Sequence, residues 1–136
     1  VLNPSTEING SGYADGARML YAEARNVVGG TARAEHRIYI DNTPPVVTKP
    51  QPGNGSVVRG NFTASASVAD AQMDNSVFLL DNVTLGNQGS ATSPKYTIDS
   101  RNYPSGTHTL TLRATDAAGN VTNDSQQVYF LNAFGF

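Results

Sequence analysis

The chain has no cysteine, no tryptophan and only two methionines in 136 residues. The absence of cysteine excludes thiol nucleophiles, thiolate metal sites and disulfides together. Charge is scarce too: acidic and basic residues make up 15% of the chain, nine basic against eleven acidic, for a net charge of -2. No block of like charge marks a nucleic-acid or anionic-membrane partner. No apolar run approaches the roughly 20 residues that span a bilayer, and no charged start followed by an apolar stretch marks a signal peptide. The expectation is a soluble, mature domain without membrane insertion. No glycine-rich phosphate loop leads from a strand into a helix, which argues against nucleotide binding.

What is abundant is threonine, serine, asparagine and glycine, a balance suited to strands and turns. Residues 1–42 laid over 91–132 at a constant offset of 90 give nine identities: Pro4/Pro94, Ile8/Ile98, Tyr13/Tyr103, Gly16/Gly106, Leu20/Leu110, Ala24/Ala114, Gly29/Gly119, Tyr39/Tyr129 and Asn42/Asn132. Chance would give about two or three, so the chain carries an internal repeat. Asn9/Asp99, Asn26/Asp116, Ile38/Val128 and Ile40/Phe130 keep side-chain role while changing identity.

Period-2 patterns fill this frame. Phe62, Ala64, Ala66 and Val68 alternate with Thr63, Ser65 and Ser67, as in a strand with one buried face. In "THTLTLRAT", His108, Leu110, Leu112 and Ala114 share one side. "SVFLLDNVTLG" predicts an apolar strand, an Asp81-Asn82 turn and a short return strand, and Val128 and Phe130 close the pattern. No segment carries a helical apolar period of useful length. The fold class is all-β, and 90 residues is the size of an immunoglobulin-like β-sandwich.

The stretch "SGTHTLTLRATDAAGN" followed by a strand, together with "DNTPP" ahead of a new module, resembles the tandem bacterial immunoglobulin-like domains of secreted and cell-surface proteins. The likeness extends over nearly the whole chain. In the repeat frame residues 1–43 are the C-terminal half of one module plus a linker, 44–132 a complete sandwich and 133–136 an apolar tail. The first copy lacks counterparts of Phe62–Val68 and Val77–Leu80. Strands from the same polypeptide or from a neighbouring filament subunit would have to cover its Ile8, Leu20, Ala22, Ala24, Ile38 and Ile40.

The sharpest chemical question is posed by "TDAAGN", residues 115–120. Asp116 with Gly119 suits a hairpin turn, and the first copy replaces the acid with Asn26, which favours a structural turn. Sandwiches of the resembled type gather Asp41, Asp70, Asp74 and Asp116 at one end, where hard oxygen ligands could hold calcium between modules, as some related calcium-dependent adhesins do. No dedicated calcium-loop spacing supports it.

His108 belongs to an inward face and aligns with Arg18, His36 aligns with Gln126, and the two histidines build no Ser–His–Asp arrangement. Tyr13, Tyr39, Tyr96, Tyr103 and Tyr129 fit either core-edge packing or a glycan-stacking surface. The implied protein is non-catalytic and extracellular: a spacer, stalk or adhesive unit whose partners are adjacent modules or filament neighbours. The alternative is an accessory carbohydrate-binding or spacer module of a secreted polysaccharide-degrading enzyme.

Overall fold

The structure, a computed structural model, describes residues 5–132, so the apolar tail expected at 133–136 lies outside the described residues. The chain divides between Thr43 and Pro44 into two units. In the first, a 3-10 turn at Gly10–Gly12 precedes strands β1 (Gly16–Arg25) and β2 (Thr31–Ile40). They form an antiparallel hairpin running from the pair Gly16↔Ile40 to Arg25↔Thr31.

The second unit contains β3 (Val46–Gln51), β4 (Ser56–Val58), β5 (Asn61–Ala69), β6 (Met73–Leu80), β7 (Val83–Gly89), β8 (Lys95–Asp99), β9 (Gly106–Asp116) and β10 (Val121–Phe130), with a 3-10 turn at Ser100–Asn102. One sheet has the order β4-β10-β9-β6-β7 and the other β3-β5-β8. This is an immunoglobulin-like β-sandwich. The opening strand is divided between the layers, since β3 pairs antiparallel with β5 while β4 pairs parallel with β10. Alternation alone did not predict that division.

The core forms where the two inner faces meet. Ala64, Ala66 and Val68 of β5 and Ile98 of β8 pack against Phe78 and Leu80 of β6, Leu110, Leu112 and Ala114 of β9, and Val128 and Phe130 of β10. The sides anticipated for β5 and β9 are the buried ones. Asp81 and Asn82 both have positive φ, 50° and 68°. They make the two-residue β6–β7 turn, a type I′ shape whose twist matches the flanking strands.

Two buried serines break the apolar pattern. Ser100 Oγ donates to Asn132 Oδ1 (2.9 Å) and accepts from Gly60 N–H (2.8 Å), whereas the buried Ser76 hydroxyl has no hydrogen-bond partner.

Compared position by position, the first unit repeats the local build of residues 99–132. The β9–β10 register, Gly106↔Phe130 to Thr115↔Val121, is that of β1–β2 displaced by 90 residues. Gly16 and Gly106 open their strands at φ 136° and 134°, a conformation that a Cβ would strain. Asn42 Nδ2 donates to Tyr13 O (3.0 Å), and Asn132 Nδ2 to Tyr103 O (2.7 Å). The amide of Asn42 donates to Asp15 (2.8 Å) as that of Asn132 donates to Ser105 Oγ (3.1 Å).

The surroundings differ: Leu110 is 4% exposed and its counterpart Leu20 is 40% exposed. Leu110→Ala should therefore cost about 2–5 kcal/mol, through lost burial and the cavity left behind, and Leu20→Ala well under about 1 kcal/mol. Urea melts of the two variants check this; equal losses would contradict the difference in burial.

Candidate functional site

Ionisable side chains gather at both ends of the sandwich. At one end Asp116, 1% exposed, closes β9. Its Oδ1 accepts from the backbone N–H groups of Ala118 and Asn120 (2.9 Å each), and its Oδ2 accepts from Asn120 Nδ2 (2.8 Å). Gly119 completes the turn at φ 92° and donates its N–H to Asp116 O (3.1 Å). The first unit builds the same turn with an amide: Asn26 Oδ1 accepts from Val28 (3.1 Å) and Gly30 (2.8 Å), with Gly29 at φ 88°. "TDAAGN" is thus a turn whose side-chain acceptor organises the backbone.

The β5–β6 loop reaches the same end, because Ala117 donates its N–H to Gln72 O (2.7 Å). Asp70, half-buried, accepts from Gln72 N–H (2.7 Å), and carboxylate oxygens of Asp70 and Asp116 lie within 4.8 Å of one another. Of the four acids singled out by sequence, these two meet within the module. Asp74 is exposed at a bulge between Met73 and Asn75. Asp41 follows β2 in the first unit, where its Oδ1 accepts from Thr43 N–H (3.0 Å).

The other end is held by His108. Its Nδ1 meets Asp81 Oδ2 at 2.5 Å, its Nε2 meets the Pro104 carbonyl at 2.8 Å, and its ring tilts against Phe130 with centroids 4.2 Å apart. Both neighbouring groups accept, so both contacts are hydrogen bonds in the doubly protonated, cationic form of the ring. Asp81 Oδ1 also accepts from Thr109 N–H (2.9 Å), joining the β6–β7 turn to β9.

Burial pushes the His108 pKa down, but the Asp81 carboxylate and Pro104 carbonyl outweigh it and the net shift is upward. Burial pushes Asp81 up, but the Thr109 N–H and His108 outweigh that and hold it below the ordinary carboxylate value. Of the tyrosines that fit either core-edge packing or a glycan-stacking surface, Tyr103 packs edge-on to Phe130 (5.8 Å) and His108 (6.1 Å), while Tyr13, Tyr39 and Tyr129 are exposed. His36 is exposed on β2.

A family model described as a bacterial Ig domain matches residues 45–112, which take in Asp70, Asp74, Asp81 and His108. No curated protein matches the sequence. Among solved structures, the endo-β-1,4-mannanase from Thermotoga petrophila aligns over 68% of this chain with a TM-score of 0.58 and 16% identity. The chain spans 21% of that mannanase's length. The fibronectin(III)-like modules of CbhA from Clostridium thermocellum align over 65% of this chain and 100% of their own, at 21% identity and a TM-score of 0.49. At such identities the mannanase likeness is one of fold. Among the described residues no helix is long and apolar enough to cross a membrane.

Two measurements check the roles given to these side chains. The raised His108 pKa adds stability that is complete below the ordinary histidine value of about 6.5 and is lost as pH rises through the folded value. The lowered Asp81 pKa adds stability present above the ordinary aspartate value of about 4 and lost as pH falls through the folded one. The pair should therefore contribute most between about pH 4 and 6.5, and His108→Gln should flatten the alkaline limb of melting temperature against pH. An unchanged limb would show that His108 is not the titrating group. Asp116→Asn should cost under about 1 kcal/mol, since an amide serves in the sister turn, and Asp116→Ala about 1–3 kcal/mol, because two backbone donors lose their acceptor. Chemical denaturation of both variants tests the ranking.

Proposed function

The chain belongs to the bacterial Ig domain family, and on that premise we propose that it is a non-catalytic structural module of a larger extracellular or cell-surface protein: a spacer, stalk or adhesive unit. The observation that carries this reading is how the chemically capable side chains are spent. His108 has both ring nitrogens committed to Asp81 and Pro104, and Asp116 has both oxygens committed to its own turn. Groups so engaged fix loops and strand ends, which suits a unit whose work is positional. The partners of such a unit are adjacent immunoglobulin-like modules of the same polypeptide or neighbouring subunits in a filament, and its output is distance and display.

Calcium stays part of the proposal. Asp70 and Asp116 offer hard oxygens within 4.8 Å of one another, but two carboxylates are well short of the six to eight oxygens that calcium takes. Calcium at millimolar concentration should raise the melting temperature of the chain, and Asp70→Asn should remove the rise. Asp41→Ala and Asp74→Asn, measured alongside, identify which other acids contribute. A titration without heat and without a thermal shift would end the calcium proposal and leave Asp116 its turn.

A second reading, an accessory carbohydrate-binding module of a secreted polysaccharide-degrading enzyme, is favoured by Tyr39 and Tyr129. They occupy equivalent positions on β2 and β10 and are 50% and 43% exposed, and exposed aromatic rings can stack on sugars. A glycan array separates the two: a spacer binds nothing, whereas binding that Tyr129→Ala abolishes would replace the first reading with the second.

A further inference from the structure

Both units fasten the residue after their last strand in the same way. Asn42, which follows β2, donates from Nδ2 to the carbonyls of Gly10 (3.1 Å) and Tyr13 (3.0 Å), and from its backbone N–H to Asp15 Oδ1 (2.8 Å). Asn132, which follows β10, donates from Nδ2 to Tyr103 O (2.7 Å) and from its backbone N–H to Ser105 Oγ (3.1 Å), while its Oδ1 accepts from Ser100 Oγ (2.9 Å). In each unit the loop ahead of one strand clasps the end of its partner, and a cation on the first strand holds that loop. Arg18 does so through Ala14 O (3.0 Å) and His108 through Pro104 O (2.8 Å). The two cations differ in one property: arginine keeps its charge throughout the working pH range of a protein, whereas histidine titrates within it.

The geometry around His108 decides which contact fails when the ring loses a proton. Asp81 is anchored independently of the ring, because its N–H donates to Thr109 O (2.8 Å) and its Oδ1 accepts from Thr109 N–H (2.9 Å). Its carboxylate also makes the stronger, charge-assisted bond to Nδ1 (2.5 Å), so the neutral ring keeps its remaining proton there. Nε2 then turns a lone pair on the Pro104 carbonyl, and two acceptors at hydrogen-bond distance repel. Pro104 has no N–H with which to hold the loop in place.

The groups around the ring leave the control to this pair. Among the described residues, Asp81 faces the ring from the β6–β7 turn and Tyr103 from the loop, edge-on at 6.1 Å, while β10 presents the uncharged Val128 and Phe130. Arg101, also on the loop, is bound to Asp99 (2.8 Å).

We propose that His108 is a proton-operated latch on the end of β10: the cationic ring holds residues 103–105 around Asn132, the neutral ring lets them go, and the Arg18 latch on Asn42 stays closed throughout. The upward shift of the His108 pKa places the release above the ordinary histidine value of about 6.5. The latch is shut below that value and opens as pH rises through the folded one. The event is local, since the core of β5, β6 and β9 does not include residues 103–105, and it operates in a spacer and in a glycan binder alike.

Amide exchange followed by NMR from about pH 5 to about 9, with each rate divided by its intrinsic value at that pH, tests the latch. Protection of the Asn132 N–H should fall at least about tenfold over the range in which the His108 ring protons titrate, while Ala66, Leu112 and Asn42 keep theirs. Asp81→Asn should move the fall to lower pH, because losing the carboxylate lowers the His108 pKa, and His108→Gln should abolish the step. Four results would overturn the proposal: Asn132 protection that stays flat through the His108 titration, an equal fall at Ala66 and Leu112, a matching fall at Asn42, or a step that survives in His108→Gln.

Discussion

A β-sheet with one apolar face has to be covered by a second layer, and the rest of this structure depends on that requirement. In residues 44–132 the cover is internal. Small side chains on β5, Ala64 and Ala66, leave room for Phe78, Leu110 and Phe130 from the opposite layer, and Phe62 fills the corner edge-on to Phe130 with centroids 5.5 Å apart. Matching small residues against large ones brings two twisted sheets to interior packing density. The polar contacts come at the ends, where strands turn and backbone groups need partners. Thr122 Oγ1, for example, donates to Pro45 O (2.6 Å), tying the start of β10 to the start of the module.

Much of this was legible because it is periodic or local. Alternation assigned the inner residues of β5 and β9, since successive side chains on a strand point to opposite faces. The 90-residue repeat predicted equivalent turns, whose hydrogen bonds span only two to four residues in the Asn26 and Asp116 cases. Long-range polar contacts were not legible. Asp81 and His108 are 27 positions apart, and no spacing rule links a turn residue to a strand face across a sheet. Ser76 and Ser100 were hidden for the same reason, because their burial depends on which neighbours arrive, and the division of the first strand between two sheets depends on the edges available to it. Among the acids, the bulge between Met73 and Asn75 interrupts the alternation that would assign a side to Asp74.

The Asn26 and Asp116 turns show how an ionisable residue can be present for geometric reasons. Both accept from the second and fourth residues onward, so the shared requirement is an oxygen at that point. Position 120 differs in a correlated way. Asn120 adds an amide donor to Asp116 Oδ2 (2.8 Å), whereas Gly30 lies so close to the Asn26 side chain that a Cβ there would come within 2.8 Å of Asn26 Nδ2. The charged acceptor comes with an added donor, and the neutral acceptor with a glycine. Each turn is satisfied on its own terms, which is why an acid at position 116 is a poor guide to chemistry.

A similar substitution of one chemistry for another occurs inside the apolar face. Arg18 and His108 are different cations directed at equivalent carbonyls, Ala14 O and Pro104 O. A cation at the margin of a hydrophobic layer is tolerated when acceptors surround it and is costly when one is withheld. At His108 that cost discriminates among possible covers. A layer with a carboxylate at the β6–β7 turn satisfies the cation, as Asp81 does for His108, and an equally apolar layer without one leaves a desolvated charge unpaired. Apolar area supplies most of the adhesion between sandwich layers but little selectivity, because any layer of alternating apolar residues offers it. The single charged position supplies the selectivity, so the residue least suited to a core is the one that specifies which core can form.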